Sequence, residues 1–126
     1  MTAERQPRMI RTIVCAFSKE EMPADDVQIF RRFEAAVARF NWNIRVRFEP
    51  LETLPEPYEV LVVNAPYKER AEAIATDAIL IVTTRATMGP AAEQLMKEIE
   101  RGDVVTAEKR DPNAPKIVKR RGYEVL

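Results

Sequence analysis

Two short runs of continuous apolar residues, Val60-Leu61-Val62-Val63 and Ala78-Ile79-Leu80-Ile81-Val82, constrain the fold of this chain more than any other feature. Neither alternates with polar residues, so neither reads as a strand with one wet face. Each has the composition of a central strand covered on both sides, which is the habit of parallel sheets. An apolar-rich run over 10–17 (Ile10, Ile13, Val14, Cys15, Ala16, Phe17) is a further strand of this kind. Parallel neighbours require crossover connections, usually helical.

Helical periodicity fills the gaps. Val27, Phe30, Phe33, Val37 and Phe40 recur at spacings of three and four, forming one apolar stripe. Asp25 and Gln28 read as a capping box at its start, and Asn41 as a left-handed stop. Trp42, Ile44, Val46 and Phe48 then alternate with Asn43, Arg45 and Arg47, which predicts an edge strand over 42–48 with two arginines guarding it against edge-to-edge pairing. A short helix over 66–75 turns Tyr67, Ala71 and Ile74 inward. Gly89-Pro90 opens another helix, with proline at the first helical position, Ala92, Leu95 and Ile99 as the buried stripe and Gly102 as the C-terminal stop. Val104 and Val105 can open a short fifth strand.

Strands alternating with helices imply right-handed crossovers. The expected fold is α/β: a three-layer open sheet, mostly parallel, in strand order 2-1-3-4, with a C-terminal extension. Residues 1–8 are expected to be a flexible N-terminus, 9–106 a single α/β domain, and 107–126 a basic extension that packs on the domain or mediates contacts.

Composition narrows the chemistry. The 126 residues include no histidine, one cysteine and three glycines. A Ser-His-Asp triad, a Cys-His pair and a Cys/His zinc site are therefore excluded. One thiol forms no internal disulfide, and no apolar run approaches the ~18 residues of a membrane span. The expectation is a cytoplasmic protein without a membrane span, metal or cofactor.

Twenty basic residues balance twenty acidic ones, but not evenly along the chain. Residues 49–108 carry twelve acids against five bases, and 109–126 carry six bases against two acids. The tail cations Lys109, Arg110, Lys116, Lys119, Arg120 and Arg121 suit an acidic partner, or the acidic surface of Glu49, Glu52, Glu56 and Glu59 in the same or a second copy. A homo-oligomer is one form of that pairing. Nucleic acid is disfavoured because the chain is neutral overall and lacks the recognised motifs.

In an open parallel sheet, ligands bind beyond the carboxyl ends of the strands. The loops expected there begin after Cys15, at Asn64 and at Thr83. Arg85 sits among Thr83, Thr84 and Thr87 just before a helix start, where unpaired N–H groups favour an anion such as a phosphorylated ligand. The alternative is an Arg85 paired with a surface acid. Asn64 either contacts a ligand or caps the following helix, and Ser18 is either a ligand contact or a turn hydroxyl.

The stretch NIRVRFEPLETLPEPYEVLVVNAPYKERAEAIA over 43–75, with RTIVCAF upstream, resembles the B component (enzyme IIB) of mannitol-type sugar phosphotransferase systems. In that family the first strand ends at a cysteine that carries the phosphoryl group. The resemblance implies the same sheet and, if the activity is kept, a phosphocysteine carrier acting through Cys15, with Ser18 and Arg85 near it. Yet the loop after Cys15 reads Ala16-Phe17-Ser18-Lys19-Glu20-Glu21, without glycine and with adjacent carboxylates that repel phosphate. The reading favoured here is a non-catalytic binding or protein-interaction module, with the phosphoryl carrier and a basic-tailed adapter as alternatives. A buried hydrophobe is then the role of Cys15.

Overall fold

The structure, a computed structural model, describes residues 6–74 and 77–110. Its main sheet contains β2 (Thr12–Phe17), β3 (Arg45–Pro50), β4 (Val60–Asn64) and β5 (Ile79–Thr83), following a short strand β1 (Arg8–Met9). Three α-helices connect and cover them: α1 (Ala24–Phe40), α2 (Lys68–Glu72) and α3 (Met88–Arg101). A last short strand, β6 (Val105–Thr106), follows α3.

The four main strands lie parallel in the order β3-β2-β4-β5, which is the expected 2-1-3-4. Period-two alternation divides the sheet between two cores. Ile13, Cys15, Val60 and Val62 point to the layer of α1 and α3, where Ile29, Phe33, Val37, Ala92, Leu95, Met96 and Ile99 meet them. Val14, Ala16, Leu61 and Val63 point to the opposite layer, formed by α2 and the segments around it, where Leu51, Tyr58, Tyr67 and Ala71 are buried. Burying one side chain as large as Phe33 contributes about 2–3 kcal/mol, so each face has several such contributors.

Several local expectations shift. Helix α1 begins at Ala24 behind an N-cap at Pro23, with no side-chain capping bond. Asp25 and Asp26 instead occupy its first turn, where the helix dipole favours carboxylates. Its buried stripe is centred on Ile29, Phe33, Ala36 and Val37, while Val27 is only half-buried, because the helix packs against α3 as well as the sheet. The expected stop at Asn41 is observed, with φ 61°. The edge strand runs 45–50 rather than 42–48. Trp42 leaves it to bridge Lys109, and Pro50, which has no N–H to give a ladder, is tolerated because the strand is an edge. Pro90 stands third in α3 rather than first, still within the turn whose N–H groups have no intrahelical acceptor.

The chain termini depart more. Arg8, expected in a flexible N-terminus, belongs to β1, which pairs in parallel with β6 in a separate two-stranded ladder. The fifth strand therefore exists outside the main sheet. The first residues of the basic extension fold back on the domain: Asn43 N–H donates to Glu108 O at 2.6 Å and Arg110 N–H to Asn41 O at 2.9 Å. Lys109 Nζ donates to Phe40 O at the C-terminal end of α1, 2.9 Å away, and lies 4.4 Å from the centre of the Trp42 ring. Lys116, Lys119, Arg120 and Arg121 lie outside the described residues, as do residues 1–5 of the expected N-terminus. Among the described residues, no helix is long and apolar enough to cross a membrane.

Candidate functional site

The carboxyl ends of β2, β4 and β5 come together with the first turn of α1 and the start of α3. This is the place the topology offers to a ligand. Among the described residues, the buried polar or charged ones, Ser18, Asp26 and Thr83, all belong to this end of the molecule.

Ser18 closes the loop after β2. It is 1% exposed, and its hydroxyl donates to Glu52 Oε2 at 3.0 Å while accepting from Glu20 N–H at 3.1 Å and Arg70 Nη1 at 3.4 Å. One donor and two lone pairs are all that a hydroxyl has, so Ser18 is saturated. Glu52 in turn accepts from Arg70 Nη2 at 2.7 Å and from Lys19 N–H at 3.2 Å. The Arg70 hydrogen bond, followed by those from backbone N–H groups and from Ser18, holds the Glu52 carboxyl at about 2. The guanidinium also lies 5.6 Å from the centre of the Tyr67 ring.

Asn64, at the end of β4, accepts from Ala65 N–H at 3.0 Å and so caps the short 3-10 turn Ala65–Tyr67. The same side chain lies near Asp26. Asp26 is only 3% exposed, and burial pushes its carboxyl above the usual aspartate range, with nearby Asp25 and Glu21 adding to the shift and Asn64 opposing it. Tyr67 donates its hydroxyl to Glu21 Oε1 at 3.4 Å. Burial, then the charges of Asp26 and Glu21, raises the phenol.

The threonines before α3 bond mainly to one another. Thr83 and Thr87 hydroxyls are 2.9 Å apart, Thr84 N–H donates to Thr87 Oγ1 at 3.0 Å, and Thr87 N–H returns to Thr84 Oγ1 at 3.2 Å. Arg85 stands largely in solvent, with Nη1 3.9 Å from Asp25 Oδ1. An exposed ion pair of that length is worth roughly 0–1 kcal/mol. Arg85 therefore stands beside a surface acid.

Cys15 is not at this mouth. It lies within β2, opposite Phe48 of β3 and Val62 of β4, 1% exposed in the core beneath α1 and α3. Burial, with a smaller contribution from the charge of Glu34, pushes its thiol well above the ordinary range. The structure brings Ser18 and Asn64 into one polar end with Thr84, Arg85 and Thr87, but separates Cys15 from them by placing it inside the strand. Lys109 and Arg110 attach to the segment after α1 instead.

Glu52, Arg70, Asp26 and Tyr67 hold this end together, and the sequence reading did not single them out for it. Ser18 and Glu52 are 34 positions apart, Ser18 and Arg70 are 52, and no local motif signals such pairs. Two carboxylates in the first turn of α1 were the available clue to Asp26. At the opposite, amino end of β4 and β5 a shallow depression of about 680 Å³ lies between Arg8, Glu56, Pro57, Tyr58, Glu59 and Asp77. Among the described residues, no group of three or more Cys, Asp or Glu is arranged to hold a metal ion. Against known protein families, curated proteins and solved structures, the chain has no significant match.

Proposed function

We propose that this chain is a non-catalytic binding or protein-interaction module, built on a sheet similar to that of the phosphotransferase B components. The observation that carries the reading is the closed network Ser18–Glu52–Arg70, which uses the full hydrogen-bonding capacity of the one hydroxyl placed like a phosphate-loop residue. Three further features support it. Cys15 is sealed in the core as a protonated thiol. The threonines before α3 are bonded to each other. Glu21, Asp25 and Asp26 would repel an incoming phosphoryl group.

The same network leaves the loop after β2 well supported while Met22, 88% exposed, projects from it next to Glu20 and Glu21. A large apolar side chain flanked by carboxylates on a braced loop fits a partner surface with basic and apolar character. Incubation with a phosphoryl donor and its carrier protein, followed by intact-mass measurement, tests the non-catalytic reading. No mass gain is expected. A phosphorylated species that disappears in Cys15→Ser overturns it.

A further inference from the structure

Strand β5 has the composition of a central strand but stands at the edge of the sheet. Its residues Ile79-Leu80-Ile81-Val82-Thr83 carry no charge and no proline, and among the described residues its sole strand partner is β4. The other edge is protected. There, β3 carries Arg45, Arg47, Glu49 and Pro50, the usual devices against edge pairing. Burial shows the same imbalance: Val60 to Val63 of β4 are fully buried, whereas Ile79, Leu80 and Ile81 are half-buried and Val82 is 36% exposed.

Backbone geometry defines what could join this edge. Ile79 N–H donates to Glu59 O of the neighbouring chain segment at 2.9 Å, so the backbone groups of Ile79 face β4. By alternation those of Leu80 and Val82 face outward. In an antiparallel pairing with an identical strand, two-fold symmetry requires that if residue i faces j, j faces i. A two-fold axis through Ile81 sets Leu80 opposite Val82 of the second copy and Val82 opposite its Leu80. Both pairs then exchange N–H and C=O. That register also brings Asp77, two residues before the strand, toward the turn after the strand of the second copy that holds Arg85, at each end of the ladder. Asp77 is exposed, with its carbonyl accepting from Arg8 Nη1, and among the described residues Arg85 has only its distant contact with Asp25. Moving the axis by one residue either way keeps the backbone parity but loses this charge match.

We infer that the chain forms a two-fold dimer through antiparallel pairing of β5 with β5, centred on Ile81 and closed at both ends by Asp77–Arg85 pairs. The result is one continuous eight-stranded sheet in which the unprotected edge is consumed and the protected β3 edges remain outside. The inference goes beyond the reading of the mouth and does not depend on it, since phosphorylation of the chain and its dimerisation are read by different measurements.

Sedimentation equilibrium of the full chain over a concentration series tests it. A monomer–dimer equilibrium is expected, and Val82→Lys, which sets a solvated charge against the two-fold axis, is expected to leave a folded monomer. Asp77→Arg and Arg85→Asp lie beyond the strand and disturb no core packing. Each is expected to weaken the dimer roughly tenfold, because two like-charged pairs arise per interface. The double variant D77R/R85D is expected to recover the wild-type constant. A chain that stays monomeric at every concentration overturns the inference. So does a dimer indifferent to these substitutions, or a double variant that recovers nothing.

Discussion

Ser18 donates to Glu52 across 3.0 Å, and the same hydroxyl accepts Glu20 N–H and Arg70 Nη1. This pairing ties the end of β2 to the segment after β3 and, through Arg70, to α2. It converts the place where the parallel sheet would open to a ligand into a braced junction between three segments of the domain.

Glu52→Gln tests that brace through its pH dependence. The folded carboxyl sits at about 2 against an ordinary value of 4.5. Because the folded value is lower, the stabilisation is complete above pH 4.5 and is lost as pH falls toward 2. The variant is expected to melt below the wild type at pH 7, with the gap closing in acid. Thermal melts at pH 7 and pH 3 check this, and a gap of constant size would show that the charge is not responsible.

Asp26→Asn is expected to act in the opposite sense. Burial raises the folded carboxyl above its ordinary value of 3.8, so ionised Asp26 opposes folding once the pH has passed that value. Asparagine keeps the size and polarity of the side chain and removes the charge beside Asp25 and Glu21. The variant is expected to be more stable than the wild type at neutral pH and equal to it in acid, as measured by urea unfolding at both pH values.

Cys15 is expected to react with iodoacetamide at neutral pH only as fast as the chain opens, and rapidly once it is unfolded in urea. Its burial and raised pKa both suppress the thiolate. Cys15→Ala should fold and lose about 1 kcal/mol, the size of a small cavity in a well-packed site. Rapid labelling of the folded chain would show the thiol to be accessible.

Gly102→Ala tests the stop after α3. Gly102 has φ 72°, and an added Cβ would meet its nearest neighbour, Ile99 O, only at 3.9 Å. The expected loss of about 1 kcal/mol is therefore conformational rather than steric. Denaturant unfolding of the single variant measures it.

Much of the sheet was legible because its determinants are local. The unbroken apolar run Val60 to Val63 requires cover on both faces, and the arginines of 45 and 47 mark an edge. The sites were less legible. Ser18, Asn64 and Arg85 were found as loop residues at strand ends, but whether such residues bind a ligand or one another depends on partners far along the chain, here Glu52, Arg70, Asp26 and Asp25.

From the order of its residues alone, the chain determined a parallel α/β sheet with order 2-1-3-4, its helix stops at Asn41 and Gly102, and the absence of imidazole chemistry. These follow from periodicity, backbone conformational preference and composition, which act over a few residues. Tertiary structure decided that Cys15 lies inside the core, that Ser18 is saturated and that β1 pairs with β6. Each depends on which distant segments meet, and that is set by the free energy of packing the whole sheet rather than by any one stretch of it.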